Sequence, residues 1–135
     1  MRRKSKIILS RFLVAVLIAV TALSLASCSH GRAEYDTEVK TVTVLVTHKS
    51  GEKVEHIIET AATNLGTALA ESGFVDGENG QYGYYINAVD GEVADYNADG
   101  SFWAITKDGE ELFTGASDTY IRDGEHYELT YTVYG

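Results

Sequence analysis

The sequence predicts an α+β domain in which a mixed sheet packs on one short helix. Three observations carry this. Two runs of alternating apolar residues, 42–47 and 54–59, are joined by a turn. One stretch, 64–72, then repeats apolar residues at helical spacing. From there on, strand-like runs are separated by Asp-Gly and Asn-Gly pairs, and the chain has 13 glycines and no proline. Strands on both sides of a lone helix favour a sheet folded over that helix.

In order along the chain, Val42, Val44 and Val46 alternate with Thr41, Thr43, Leu45 and Thr47, which gives a first strand one strongly apolar face. Lys49-Ser50-Gly51-Glu52 turns the chain. Val54, His56 and Ile58 then share a face of the second strand, which makes His56 a partly buried histidine with a partner rather than a metal ligand. Thr63 or Asn64 supplies a helix cap, its side-chain oxygen accepting a bond from a free amide of the first turn. Leu65, Ala68, Leu69 and Ser72 follow at helical spacing, and Gly73 stops the helix. Phe74 and Val75 pin its end against the sheet.

Asp76-Gly77 and Asn79-Gly80 predict a loop. In the next strand Tyr82, Tyr84 and Ile86 fall on one face and Tyr85, Asn87 and Val89 on the other, with Asp90-Gly91 as the turn that ends it. Phe102 to Lys107 is a strand, Asp108-Gly109 its hairpin turn, and Glu111 to Thr114 its partner. After a turn at Asp123-Gly124, the last strand carries Tyr127, Leu129, Tyr131 and Val133 on one face. The order fits a β-grasp-like arrangement with the last strand beside the first; a pure β-sandwich is the alternative should the helix be marginal. Roughly a hundred residues bury only a modest core, so tyrosines and branched residues must fill much of it.

The first 27 residues read as a lipoprotein signal peptide. Met1 to Lys6 is basic, Phe12 to Leu23 is nearly all apolar, and Leu25-Ala26-Ser27 brings small residues up to Cys28. The apolar run is shorter than the roughly 20 residues a spanning helix needs. Leu25-Ala26-Ser27-Cys28 resembles the bacterial lipobox, in which the cysteine is the lipid attachment site. Cys28 is also the only cysteine, with no second one to pair with. Residues 28–38 are polar and read as a flexible tether, and residues 39–135 as the folded domain. The expected location is therefore extracytoplasmic, anchored to a bacterial membrane through the lipidated cysteine.

The whole chain has a formal net charge of -9. Without the leader, 6 basic residues face 20 acidic ones, a net charge of -14. Such a surface repels phosphates and argues against a nucleic-acid role. It attracts cations. Nine tyrosines offer apolar rings with polar tips, suited to half-exposed strands and ligand faces.

The stretch from Asp95 to Trp103 holds the most unusual chemistry. Asp95, Asn97 and Asp99 alternate before Gly100, matching the opening of a calcium loop of the EF-hand type. The closing glutamate should stand eleven residues after Asp95, where the chain has Thr106. Glu92 or Glu110 is available from another direction. The second reading is an acidic turn that feeds a strand. Trp103, the only tryptophan, shares strand parity with Ile105, which favours burial over a ligand platform. No catalytic constellation stands out: the serines, histidines and aspartates lack an elbow or metal-ligand spacing, and no phosphate loop is present. His48 and His126 read as isolated. An enzyme is not expected, and no cofactor beyond calcium at Asp95, Asn97 and Asp99.

From Asn64 onward the chain resembles the C-terminal domain of transcobalamin and intrinsic factor. The residues that carry this are Asn64-Leu65 and Leu69, Gly83-Tyr84-Tyr85, Val89-Asp90-Gly91, Phe102-Trp103, Gly115, Asp118, Asp123-Gly124-Glu125 and Glu128-Leu129. The resemblance implies a β-grasp-like domain that covers one face of a soluble ligand, with Tyr85, Trp103, Leu112 and Phe113 near the ligand. A corrinoid-like molecule is the first candidate, passed on to a membrane transporter. In the vitamin carriers a helical domain holds the other face, and these residues contain none. A protein-interaction or adhesion accessory domain, with an envelope protein as partner, is the alternative expectation.

Overall fold

The structure, a computed structural model, describes residues 38–135. The signal sequence, Cys28 and the tether up to residue 37 lie outside the described residues. The elements run β1 (Lys40–Thr47), β2 (Lys53–Thr60), α1 (Leu65–Glu71), β3 (Val75–Gly80), β4 (Gly83–Val89), β5 (Glu92–Val93), α2 (Tyr96–Asp99), β6 (Ser101–Lys107), β7 (Glu110–Glu111) and β8 (His126–Val133), with a 3-10 turn over Ala116–Asp118 before β8. Five strands form a mixed sheet in the order β2-β1-β8-β6-β7. β3, β4 and β5 form a second, three-stranded sheet.

The expected α+β class holds, and so does the placing of the last strand beside the first: β1 and β8 pair in parallel, with Val44 opposite Tyr127 and Val46 opposite Leu129. Alternation in β1 sends Val42, Val44 and Val46 into full burial. They meet Leu65, Ala68 and Leu69 from α1, Tyr127 and Leu129 from β8, and Val75, Ile86 and Val89 from the smaller sheet. Each fully buried branched side chain contributes about 1.5–3 kcal/mol, so a short helix is held chiefly by its apolar stripe. Its start is fixed by Asn64, whose Oδ1 accepts from the Thr67 N–H at 2.8 Å. Gly73, at a φ of +83°, takes the left-handed conformation just beyond its end.

Three elements differ from expectation. The glycine-rich stretch after α1 is not a loop but strand β3, paired antiparallel with β4 through a register shift at Asp76/Gly77. The turn lies two residues on, so Tyr82 sits at a hairpin tip rather than on a strand face, and is 88% exposed. β7 is two residues long and leaves Leu112 and Phe113 beyond the strand. Glycine and asparagine depress strand propensity, but hydrogen bonding to β4 supplies what propensity lacks in β3.

Both Asp-Gly hairpin turns form as expected. Asp90 and Asp108 each adopt a φ of +50° and are followed by Gly91 at +78° and Gly109 at +80°. This is the pair of left-handed residues that a two-residue hairpin turn requires. The first of these turns places Asp90 and Glu92 over the end of the larger sheet.

Candidate functional site

The most concentrated polar chemistry in the domain gathers where the β4–β5 turn meets β1 and β2. His48 follows β1 on the buried parity of Val42, Val44 and Val46. His56 lies on β2 on the inward parity of Ile58. Both rings reach Asp90: His48 Nε2 is 3.2 Å from Oδ2, and His56 Nε2 is 2.9 Å from Oδ1 and 3.0 Å from Oδ2. The other ring nitrogen of His48, Nδ1, lies 2.7 Å from Glu92 Oε2. That oxygen also accepts from the Lys49 N–H at 3.3 Å. The His48 side chain is only 13% exposed.

Aromatic neighbours fix both imidazoles. His56 stacks on Phe74 with ring centroids 3.8 Å apart and planes within 4°. His48 meets Trp103 edge to face at 5.9 Å, and Trp103 in turn meets Tyr131 at 5.5 Å. Lys49 Nζ lies 5.5 Å from the Tyr131 ring centre. Carboxylates on both sides of the His48 ring stabilise its protonated form. The Glu92 bond raises its pKa above the ordinary histidine value, burial opposes this, and Asp90 adds to the rise. Ser50, Glu52 and Val54 join His48, Asp90 and Glu92 around an open cleft of about 430 Å³.

The residues that sequence reasoning singled out are dispersed. Trp103 is buried at 5% exposure, and its Nε1 has no hydrogen-bond partner. Tyr85 is exposed and lines a second cleft, of about 370 Å³, together with Glu78, Asn87, Val93, Ala94, Asp95, Tyr96 and Asn97. Leu112 packs in part against the core, and Phe113 is fully exposed. Tyr85, Trp103, Leu112 and Phe113 thus do not line one surface, but Tyr85 does join Asp95 and Asn97.

The acidic stretch uses its carboxylates on its own backbone. Asp95 caps the single turn of α2, its Oδ1 accepting from the Asn97 N–H at 3.0 Å and the Ala98 N–H at 3.2 Å. Asp99 Oδ1 accepts from the Ser101 hydroxyl and from the Ser101 N–H. Those bonds hold the Asp99 carboxyl below its usual pKa, with the hydroxyl bond the larger cause. Glu92, weighed as a distant contributor to this stretch, is instead committed to His48.

The meeting of His48 and His56 on one carboxylate was missed from sequence. The signal available was parity: both histidines continue the buried register of their strands. Nothing local indicated that the Asp90-Gly91 turn would fold back over them.

Fold and site define a β-grasp-like α+β domain whose exposed clefts are framed by tyrosines, histidines and carboxylates. The chain belongs to the family described as Domain of unknown function (DUF4430), whose model matches residues 62–132. It is similar to a solved protein of Ruminococcus gnavus ATCC 29149, described as a candidate metal binding protein. The two are 38% identical, with a TM-score of 0.66, over 71% of this chain and 99% of that one. Haptocorrin in complex with Cbi shares the fold at 20% identity and a TM-score of 0.60, over 73% of this chain and 26% of haptocorrin. The transcobalamin-type resemblance therefore holds at the level of the fold. No curated protein matches the chain.

Proposed function

We propose that this protein is a non-enzymatic, lipid-anchored extracytoplasmic module that binds a small soluble ligand in the Tyr85 cleft. The single observation that carries the reading is the lining of that cleft. Exposed Tyr85, Tyr96 and Val93 stand beside Glu78, Asp95 and Asn97. An apolar floor with a few polar groups is the usual composition of a small-molecule site, and about 370 Å³ lies within the usual size range. The acidic members favour a ligand that bears hydrogen-bond donors or positive charge. A corrinoid-like molecule remains the first candidate, with one face on the tyrosines and its amide groups toward Glu78 and Asp95. The Cys28 lipid would hold the loaded module beside a membrane transporter.

Calorimetric titration of the full chain with cobalamin, cobinamide and haem tests this. The expected result is saturable binding by one of them that weakens about 5-fold in Tyr85→Ala, the loss of one aromatic contact of roughly 1 kcal/mol. No saturable heat up to millimolar ligand, or binding indifferent to Tyr85→Ala, overturns the proposal.

A protein-interaction role is the second reading. It is favoured by the exposed Tyr82, Phe113 and Tyr120, all large rings left in solvent. In that case a stoichiometric envelope protein co-purifies with the membrane-anchored chain and is lost in Phe113→Ser. The R. gnavus relative adds metal ions to the ligand classes; calcium at Asp95, Asn97 and Asp99 would have to compete with the backbone bonds those carboxylates already make.

A further inference from the structure

We propose that His48 is a pH-sensitive latch: its protonated ring holds the β4–β5 turn of the smaller sheet onto the end of the larger sheet, and loss of the proton loosens that turn. The latch stands independently of any ligand in the Tyr85 cleft.

The geometry at the two ring nitrogens carries it. Nδ1 lies 2.7 Å from Glu92 Oε2, and Nε2 lies 3.2 Å from Asp90 Oδ2. An ionised carboxylate only accepts, so each contact needs an N–H on the ring. A neutral imidazole has one N–H and the imidazolium has two. Only the charged ring therefore satisfies both carboxylates at once. The neutral ring turns a lone pair toward one of them, and that contact becomes repulsive. His56 makes no such demand: it reaches Asp90 through Nε2 alone, and one N–H serves both oxygens. His48 has little room to turn away, because its ring is mostly buried and meets Trp103 edge to face.

The charged and titratable groups around the ring come from every element beside it. Asp90 and Glu92 stand on the β4–β5 side, and His56 on β2 shares Asp90. Glu52, from the turn before β2, lies on the wall of the same cleft. Lys49 directs its ammonium at the Tyr131 ring of β8 and donates its backbone N–H to Glu92. The Glu92 bond is the largest cause of the raised His48 pKa; burial opposes it and Asp90 adds to it. The folded-state value is the higher one. The latch is therefore fully closed below 6.5, the ordinary histidine value, and is released as pH rises through the folded-state pKa.

His48 follows β1, whereas Asp90 and Glu92 flank Gly91 between β4 and β5, so the ring ties together two separate sheets. Other bonds keep the turn folded when the latch opens: the Asp90 N–H donates to the Phe74 carbonyl at 2.8 Å and the Ala94 N–H to the Asn87 carbonyl at 2.9 Å. Release is thus a local loosening. Val93 directly follows Glu92 and lines the Tyr85 cleft, so the loosening reaches one wall of that cleft.

NMR of the full chain in detergent, from pH 5.5 to pH 9, tests this. Histidine ring signals give the titration, and amide exchange, corrected for its intrinsic pH dependence, gives the opening of the turn. The His48 ring is identified by its proximity to Trp103. Protection of the Asp90 and Ala94 amides is expected to fall about 10-fold as this ring titrates, the lower end of what one hydrogen bond to a charged group contributes. Amides of β1 paired with β2 should stay protected. His48→Gln should abolish the pH-dependent fall, His56→Gln should keep it, and Glu92→Gln should move the ring's titration to lower pH. Protection that stays flat across the His48 titration overturns the proposal, and so does a ring midpoint at or below 6.5. Both are read on the unaltered chain and need no variant to fold. A fall that persists in His48→Gln, or that His56→Gln removes, in variants shown to be folded by circular dichroism, also overturns it.

Discussion

At the residue scale, Gly77 shows how one side chain's absence sets the geometry beside the Tyr85 cleft. A Cβ at this position would lie 2.4 Å from the Tyr85 carbonyl oxygen and 2.7 Å from the Tyr84 ring. The carbonyl belongs to the facing strand and cannot swing away as a side-chain tip can. It follows that Gly77→Ala must push β3 off β4, and overpacking of this kind typically costs about 1–3 kcal/mol. Urea denaturation is expected to show that loss together with a weakened ligand response, because Tyr85 moves with its backbone. Gly73→Ala makes a useful contrast. It meets no neighbour within 4 Å, so its cost comes only from the left-handed φ of +83°.

At the scale of elements, what could be read from sequence was what local chemistry decides. Helix α1 was legible from end to end because its cap, its apolar stripe and its stop all lie within ten residues. The Asp-Gly turns were legible for the same reason: the pair dictates its own backbone. Strand β3 was not, because Val75-Asp76-Gly77-Glu78-Asn79-Gly80 has little strand character of its own. Its partner lies across a turn that the sequence places two residues early. The site suffered the same limit. Tyr85 with Asp95 and Asn97 came from readings made separately, and only the smaller sheet brings them together. His48 and His56 are eight residues apart but meet through a residue 34 positions beyond His56.

The same local logic gives a testable magnitude for α1. Asn64 is the side-chain cap at the start of this helix, and its backbone also bridges to Tyr120. Asn64→Ala removes the Thr67 bond but leaves the backbone bridge, so the expected loss is about 1 kcal/mol. Asn64→Asp keeps an acceptor in place and should recover most of it. Thermal melts of the two variants side by side check the assignment.

At the scale of the whole molecule, the first and last strands pair in the interior of the larger sheet, and the junction at one end of that pairing is a small polar network. Thr41 donates to Asp123 Oδ1 at 2.7 Å, Gly124 to the Thr41 carbonyl at 2.8 Å, and Thr43 to the Glu125 carbonyl at 3.0 Å. The Glu125 side chain ties this corner to β6 and β8: Lys107 Nζ is 2.7 Å from Oε1, and the Tyr127 hydroxyl donates to Oε2 at 2.6 Å. Burial works against the Glu125 charge, yet the bonds from Lys107, Tyr127 and the Arg122 N–H outweigh it and hold its pKa below the ordinary 4.5. Burial, reinforced by Glu125, raises the Tyr127 pKa, so its hydroxyl stays a donor.

The sign of the resulting pH dependence follows from the depressed carboxylate. Above 4.5, the ordinary value, the unfolded chain carries the same charge at this position, and the full stabilising contribution is present. As pH falls below that value the unfolded chain takes up a proton first, and the contribution is lost as pH drops through the folded-state pKa. Denaturation midpoints measured from pH 6 down to pH 3 should fall, and Glu125→Gln should flatten part of that slope while lowering stability at pH 6. Because this one carboxylate joins the β1–β8 pairing to β6, its loss should loosen the larger sheet as a unit. Amide exchange is then expected to accelerate in β1, β6 and β8 together, rather than at the 123–125 turn alone.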